Sequence, residues 1–426
     1  MKIKINGEGM IAAAMYLLVF YLCLPFSMIL LNSMMIRLIM LISTCLLFGG
    51  MIVLKKEKQI FSLSILFLFM FLYWQITWRS QLDKISYVYY CFVSLAFVFG
   101  GMILYYGKNE SLLRHLFLFI TIIYFITALT SIAGLNVYPL AARELARGST
   151  YDTSLDFTTY KEIYRKMNIV SWSQAYGMLF GIPVSLMIWK KKKKAFYIVL
   201  LAALFLMMIQ SQITFAVLLA IVLIVASIMC SESKTKTIFI TMFFSIIAIV
   251  VLMNLEEVLT MAVCLAEEAG FEFLTTKLND MKILLVYRDA VGDASARGML
   301  YQTSIETFLG NPFFGLMDSG RASLDQIGYH SELFDFVGTF GLFGLFVIFA
   351  SFVGYFSFLK KTGLESRKDL GIIFVGFIGA FIFNPVFNSP QVFAGAFLYP
   401  LLACRYCSIR GREEQGKVMR KRKVRL

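Results

Sequence analysis

The fold class of this chain is decided by segments such as AFYIVLLAALFLMMIQ at residues 195–210 and ITFAVLLAIVLIVASIMC at residues 213–230. Neither segment contains a charged side chain, and each approaches the roughly 20 residues with which a helix crosses a bilayer core of about 30 Å. Similar runs recur along the whole chain, in which 59% of residues are apolar and 15% are charged. Because the runs are continuous rather than alternating, they predict transmembrane helices and exclude a transmembrane β-barrel.

The apolar runs predict about twelve transmembrane helices in a single polytopic membrane domain that covers residues 1–426. The predicted spans are residues 10–30, 34–54, 60–78, 85–106, 116–136, 169–189, 195–210, 213–230, 237–254, 332–358, 370–388 and 391–408. The sequence therefore predicts an all-α integral membrane protein with two longer loops, residues 137–168 and 255–331, and a basic tail, residues 409–426.

Lysine and arginine are unevenly distributed among the predicted loops. Short loops rich in these residues stay in the cytoplasm. If the N-terminus is inside, most of the 40 basic residues fall on that side, including the run Lys190–Lys194 and the tail. Both termini are therefore predicted to be cytoplasmic, and both longer loops face the opposite side. The net charge of +14 reflects this topology and contact with anionic membrane lipids rather than nucleic-acid binding.

The first long loop contains a short predicted helix with a cationic face. Arg143 and Arg147 are four residues apart and therefore share one face, with Pro139 before the helix and Gly148 after it. Such a face suits lipid headgroups or the phosphate of a lipid-linked substrate equally well.

The second long loop exceeds the usual length between packed helices, so we expect an ordered and functional subdomain. Its sequence predicts three helices, at residues 255–265, 271–286 and 294–309. In the third of them Arg297, Tyr301 and Ser304 fall on one face. Acidic residues outnumber basic ones in this loop, so its surface does not attract polyanions in general and each arginine is considered individually.

His330 directly precedes the predicted span at residues 332–358 and is one of only two histidines in the chain. Imidazole is the side chain that accepts protons near neutrality, and the positive N-terminal end of the following helix disfavours its protonated form. We therefore take His330 as the candidate general base. Glu332 and Asp335, three residues apart, are candidates for orienting His330 or an incoming group. The alternative is a solvated loop histidine without a chemical role.

Several short motifs in this region occur in an order that resembles the O-antigen polymerase and ligase superfamily. They are Arg297 followed by a helix, GNPFFG at residues 310–315, HSEL at residues 330–333 and GLFGL at residues 341–345. The resemblance covers residues 295–350 in detail and the rest of the chain through its topology. It implies a metal-independent glycosyltransferase of the bacterial cytoplasmic membrane, without a cofactor, that acts on an oligosaccharide carried by undecaprenyl pyrophosphate.

With that resemblance, the candidate residues take specific roles. His330 would deprotonate an incoming sugar hydroxyl, with Glu332 as a second catalytic residue, and Tyr301 and Asp335 would contact the saccharide. Guanidinium groups suit the pyrophosphate, because they bind phosphate oxygens bidentately and each charge-assisted hydrogen bond is worth roughly 1.5 to 3 kcal/mol. The candidate pyrophosphate ligands are Arg297 first, followed by Arg288, Arg321, Arg143 and Arg147.

The chain departs from the family at one turn. Members often carry a Ser-Arg-Gly turn between the two spans before the large loop, and this chain has Gln210-Ser211-Gln212 at that place. Either Arg143, Arg147 or Arg288 supplies the missing charge, or substrate recognition differs.

The leading functional prediction is the polymerisation of lipid-linked repeat units into O-antigen, capsule or exopolysaccharide, with membrane lipids and a chain-length regulator as further partners. A ligase that transfers the finished glycan to a lipid A core or a protein is the nearest alternative. A flippase for lipid-linked oligosaccharides is a distant one, because transporters keep ionisable groups at mid-membrane depth and the predicted spans contain almost none.

Overall fold

The structure is a computed structural model that describes residues 6–30, 33–54, 84–152, 154, 156–229, 253–287, 292–316, 326–387 and 389–408. Every regular element in these ranges is a helix, so the all-α prediction is confirmed for the described part of the chain. Some of the predicted features lie outside the described residues, namely the span at 60–78, most of the span at 237–254, Arg288, Arg321 and the tail at 409–426.

The described helices are numbered in chain order. The first group contains Gly7–Cys23 (α1), Ser27–Leu30 (α2), Ser33–Val53 (α3), Lys84–Tyr105 (α4), Glu110–Val137 (α5), Ala141–Arg147 (α6), Phe157–Lys166 (α7), Trp172–Leu179 (α8), Gly181–Lys192 (α9), Phe196–Gln210 (α10) and Thr214–Met229 (α11).

The second group contains Leu255–Glu268 (α12), Glu272–Lys282 (α13), Gly292–Gly310 (α14), Glu332–Lys360 (α15), Leu364–Phe383 (α16) and Pro390–Phe393 (α17). Helix α13 continues as a π-helical turn at Ile283–Tyr287, and α17 continues through a second π-helical turn at Ala394–Leu398 into residues 399–408.

Three of the described helices are long and apolar enough to cross a membrane. They are α5, α15 and the part of α3 from Met34 to Val53. The bundle is apolar on its outside as well as in its core. Leu38, Ile122 and Phe349 are 52%, 53% and 68% exposed, whereas Phe377 and Tyr399 are buried. Monomers in water rarely present continuous apolar surfaces of this kind. These helices therefore indicate a membrane-embedded helical protein.

Two predicted spans are divided into separate helices in the described part of the chain. Residues 10–30 form α1 and α2, which are separated by the turn at residues 24–26. Residues 169–189 form the two helices α8 and α9, which are separated at Phe180. Pro183 explains the division, because a proline donates no backbone hydrogen bond and its ring clashes with the carbonyl four residues earlier, here that of Leu179.

The described connection at Lys108 and the residues around Arg405 lie together at one end of the bundle, which we call the basic end. The Glu8 carboxylate accepts hydrogen bonds from the backbone amides of Lys108 and Asn109, both at 2.9 Å. Arg405 donates to the carbonyl of Gly107, at 3.1 Å, on the same turn. The beginning of α1 and the residues that follow α17 therefore lie at the same end of the bundle. The opposite end, where α5 enters the first long loop, is called the loop end.

The first long loop packs onto the loop end around Asn168. The side-chain oxygen of Asn168 accepts a hydrogen bond from the Phe26 amide at 3.0 Å, and its carbonyl accepts one from the Ser131 hydroxyl at 2.9 Å. Within the loop the Tyr164 hydroxyl donates to the Glu144 carboxylate. Burial and this carboxylate raise the pKa of Tyr164. The loop is therefore an ordered part of the bundle.

Helix α15 is broken at Gly341, whose φ of 60° and ψ of −151° are not helical. The break removes helical acceptors from the next two amides, and the preceding loop supplies others. Leu342 donates to the carbonyl of Pro312 at 2.8 Å, and Phe343 donates to that of Phe313 at 3.1 Å. The GNPFFG and GLFGL motifs therefore contact each other, and the first provides the hydrogen bonds that the second lacks.

Gly341→Ala is expected to destabilise the protein. A Cβ atom at this position would lie 2.5 Å from the Phe313 carbonyl carbon, and the positive φ disfavours any L side chain. Such backbone strain costs about 1–3 kcal/mol before the clash is counted. The midpoint of thermal unfolding of the detergent-solubilised protein should fall by several degrees.

Gly371→Ala in α16 is the matched control for Gly341→Ala. A Cβ atom there meets nothing within 4 Å, and alanine is favoured over glycine inside a helix. Its unfolding midpoint should equal or exceed that of the wild type. A Gly341→Ala protein as stable as the control would show that the break in α15 does not need glycine.

Candidate functional site

The backbone on either side of His330 is held by the buried Asp335, which is 2% exposed. One carboxylate oxygen of Asp335 accepts a hydrogen bond from the Ser331 amide at 3.1 Å, and the other accepts one from the Ser304 hydroxyl at 2.7 Å. The Ser304 hydroxyl in turn accepts a hydrogen bond from the Gly328 amide at 2.9 Å. Asp335 therefore joins α14, α15 and the loop that carries the exposed His330.

The residue before His330 has an unusual backbone. Tyr329 has a φ of 61°, in the left-handed region that residues other than glycine rarely adopt. Such a conformation persists only where its surroundings impose it. Here the neighbouring Gly328 packs against α14, and a Cβ atom on it would lie 2.1 Å from the carbonyl oxygen of Leu300. The loop that carries His330 therefore packs closely against the turn of α14 between Arg297 and Tyr301.

Ser331 caps the N-terminus of α15. Its hydroxyl accepts a hydrogen bond from the Phe334 amide at 3.1 Å, which satisfies one of the unpaired amides of the first helical turn. The same hydroxyl donates to the carbonyl of Ile382 near the end of α16. The residue that follows His330 therefore connects the beginning of α15 with the end of α16.

Glu332 is 1% exposed and lies against the break between α16 and α17. Its Oε2 accepts a hydrogen bond from the Phe387 amide at 2.9 Å, and its own amide donates to the carbonyl of Asn384 at 3.3 Å. Oε1 is buried and makes no hydrogen bond to a described residue. Glu332 therefore holds the broken helix pair with one oxygen and retains one oxygen that can accept a hydrogen bond.

Arg297 and Tyr301, one turn apart on α14, face the same region. Both lie close enough to the buried Tyr176 hydroxyl to interact with it electrostatically, and the Asn384 side chain is beside that hydroxyl. Tyr301 also packs its ring on Phe334, with the ring centres 5.3 Å apart. We call Tyr176, Arg297, Tyr301, Glu332 and Asn384 the polar cluster.

The arginines of the first long loop lie elsewhere at the loop end. Arg143 donates from Nη1 to the carbonyl of Gln212 at 3.3 Å, and its guanidinium lies 4.8 Å from the ring centre of Phe273. Arg147 stacks on the ring of Tyr151, at 5.1 Å. Of these two arginines, Arg143 is the one that contacts the Gln210-Ser211-Gln212 turn.

Gln212 connects this turn to both long loops. Its φ is 55°, its Oε1 accepts a hydrogen bond from the Phe273 amide at 3.1 Å, and its Nε2 donates to the Pro139 carbonyl at 3.4 Å. Shortly after the turn, the ring of Phe215 packs on Phe383, with the ring centres 5.0 Å apart. Because Phe383 precedes Asn384, this ring contact places the turn near the residues that lead into the polar cluster.

Two members of the polar cluster were not identified from the sequence. Tyr176 lies in an apolar segment, and nothing local distinguishes it from a packed core tyrosine. Asn384 is followed by Pro385 inside an apolar run, and that interruption is the signal that marks a broken span. Among the described residues, no three His, Cys, Asp or Glu side chains are grouped as a metal ion would need.

No family model matches this chain, and no curated protein is similar to it.

Proposed function

We propose that this protein is a membrane glycosyltransferase that joins oligosaccharide repeat units carried by a polyprenyl pyrophosphate lipid, with its chemistry at His330 and the polar cluster. One observation carries the proposal. The only exposed histidine at the loop end among the described residues is held on both sides by a buried carboxylate network, and its loop packs on the turn that bears Arg297 and Tyr301. The motif order across residues 295–350 supports the same activity.

The proposed reaction needs no metal or redox group. His330 accepts the proton of the incoming sugar hydroxyl, and the hydroxyl oxygen forms a bond to the anomeric carbon of the donor. The bond from that carbon to the pyrophosphate oxygen breaks, and its electron pair leaves with the pyrophosphate. Arg297 stabilises the charge that develops on this leaving group.

The buried carboxylates have different parts in this proposal. Both oxygens of Asp335 are occupied by Ser331 and Ser304, so we assign it to positioning His330 rather than to contact with substrate. Glu332 has one buried oxygen that makes no hydrogen bond to a described residue, and we assign that oxygen to a hydroxyl of the acceptor sugar. Arg143 would interact with a second phosphate oxygen from its position beside Gln212.

The proposal includes about twelve spans in the bacterial cytoplasmic membrane, with the basic end in the cytoplasm and the loop end outside. Support comes from the excess of lysine and arginine in the short connections of the basic end, such as Lys191, whose ammonium lies 3.0 Å from the carboxylate of Asp369. Because Cys264 of the second long loop is exposed, the native cysteines are first replaced by serine. A cysteine then introduced at Lys193 should react with membrane-impermeant reagents only after cell lysis, and its labelling in intact cells would show that the basic end lies outside.

The experiment that tests the function uses purified protein in liposomes with lipid-linked repeat units extracted from the source strain. We expect a ladder of lipid-linked oligomers and release of the polyprenyl pyrophosphate, both measured by mass spectrometry. A ligase would instead transfer the glycan only after a lipid A core or protein acceptor is added. Movement of the lipid between leaflets without a new glycosidic bond would identify a flippase, and an unchanged donor would contradict glycosyl transfer.

A further inference from the structure

A cavity of about 490 Å³ lies at the loop end beside α7 and is distinct from the polar cluster. Two cations, Lys161 and Arg165, line it from α7, and the beginning of α8 lines it at Ser171 and Ser173. We call it the α7 cavity. Neither cation was among the residues that the sequence singled out as ligands.

The charge of the α7 cavity favours an anion. Lys161 and Arg165 are four residues apart and therefore adjacent on the helix, where like charges repel each other. Burial lowers the pKa of Lys161, and the charge of Arg165 lowers it further. No Asp or Glu is among the described residues that line the cavity. Ser173 adds a hydroxyl, and α8 starts at this wall, so the positive end of its dipole lies there as well.

Apolar side chains also line the α7 cavity, and the helices that carry them are exposed on the surface of the bundle. Met28 and Ile36, from α2 and α3, line the cavity. On the same two helices Leu30 and Met34 are 57% and 79% exposed. A ligand that matches both the cations and the apolar side chains has an anionic head and a long apolar chain, which a free phosphate ion does not have.

We infer that the α7 cavity binds the phosphate-bearing headgroup of a membrane lipid, whose hydrocarbon chain lies along α2 and α3. Lys161 and Arg165 contact the phosphate oxygens, and Ser173 donates a hydrogen bond to them.

The position of the α7 cavity relates it to the polar cluster. Ser389 and Gln391 line the cavity, and they belong to the break between α16 and α17 that Glu332 contacts through Phe387. Polymerisation consumes two lipid-linked molecules, a donor and an acceptor. On the basis of the proposed function, the lipid in the α7 cavity is the second of these two molecules. Lipid binding itself does not depend on that function.

The test measures binding to the full-length protein in detergent micelles by microscale thermophoresis. The probes are undecaprenyl monophosphate, undecaprenol as the uncharged lipid, and inorganic pyrophosphate as the free anion. We expect undecaprenyl monophosphate to bind at least tenfold more tightly than either control compound. The double variant Lys161→Gln with Arg165→Gln should lose at least tenfold of that affinity.

The matched control is Lys166→Gln, because Lys166 lies on the same helix, is exposed and does not line the cavity. Lys166→Gln removes one positive charge and should bind undecaprenyl monophosphate with the affinity of the wild type. A second cavity variant, Ala146→Phe, keeps both cations and narrows the cavity from α6. Ala146→Phe should also weaken binding of undecaprenyl monophosphate. This variant replaces the double variant in the test if the double variant does not elute as folded protein.

Three results would overturn the inference. They are equal binding by wild type and the cavity variants, equal affinity for inorganic pyrophosphate and the lipid phosphate, and no binding of the lipid phosphate at all. Failure of the proposed function is distinguishable, since His330→Ala should bind the lipid phosphate as the wild type does. Normal lipid binding by a protein that forms no glycosidic bond would contradict the proposed function and leave this inference standing.

Discussion

Replacing His330 with alanine is expected to lower the rate of glycosyl transfer by about 100- to 10,000-fold, the usual effect of removing a general base. This corresponds to roughly 3 to 5.5 kcal/mol of additional barrier. Donor binding should persist, because the arginines that would hold the pyrophosphate remain. Carrier lipids with single repeat units should therefore accumulate in cells, while long polymer disappears from gels.

His115→Ala is the matched control for His330→Ala. His115 is the other histidine of the chain, and it is exposed near the start of α5 at the basic end. The His115→Ala variant should make polymer of ordinary length. The hydrogen bonds of Asp335 come from the Ser304 hydroxyl and the Ser331 amide, and both remain in His330→Ala, which should elute as a single species with normal membrane levels. Polymer of normal length from a normally expressed His330→Ala protein would leave His330 without a catalytic role.

Replacing Arg297 with lysine is expected to lower activity by roughly 10- to 100-fold even though the charge is kept. A guanidinium binds two phosphate oxygens at once, and an ammonium does not reproduce that geometry. The loss of one charge-assisted hydrogen bond, roughly 1.5 to 3 kcal/mol, sets the scale. The measurement is the rate of oligomer formation in liposomes over a range of donor concentrations.

The electrostatic interaction of Arg297 with Tyr176 allows a purely structural role of Arg297 to be separated from a role in holding the leaving group. If Arg297 only stabilised the buried Tyr176 hydroxyl, Arg297→Lys and Tyr176→Phe would lower the unfolding midpoint together and leave the rate per folded molecule unchanged. A leaving-group role predicts a lower rate at an unchanged midpoint. Arg114→Lys, at an exposed position near the start of α5, is the matched control and should behave as the wild type.

Much of the local structure was predictable because it depends on neighbours in sequence. The helical class follows from continuous apolar runs, and α6 ends at Gly148, whose φ of 78° suits glycine. In the second long loop, Gly270 separates α12 from α13, with a φ of 73°. Helical spacing also predicts that Arg297 and Tyr301 share a face of α14. These features can be predicted without knowing which residues pack against them.

The partners of the same residues were not predictable from spacing. Asp335 was expected to contact a substrate, yet its buried carboxylate bonds to Ser304, which lies 31 residues earlier. Nothing in the sequence around Gly341 indicates its φ of 60° or the hydrogen bonds that the Pro312 loop supplies there. Nothing near Arg143 in the sequence indicates Gln212, 69 residues later.

Helical segments, their apolar character and the side chains that share one face of a helix follow from the sequence alone, because backbone periodicity and side-chain polarity are local properties. The meeting of particular helix ends depends on the tertiary structure. The tertiary structure brings Tyr176 within electrostatic range of Arg297, sets the break of α15 at Gly341 against the Pro312 loop, and forms the cavity lined by Lys161. These arrangements depend on the packing of segments that are distant along the chain, which satisfies buried polar groups that no single segment satisfies alone.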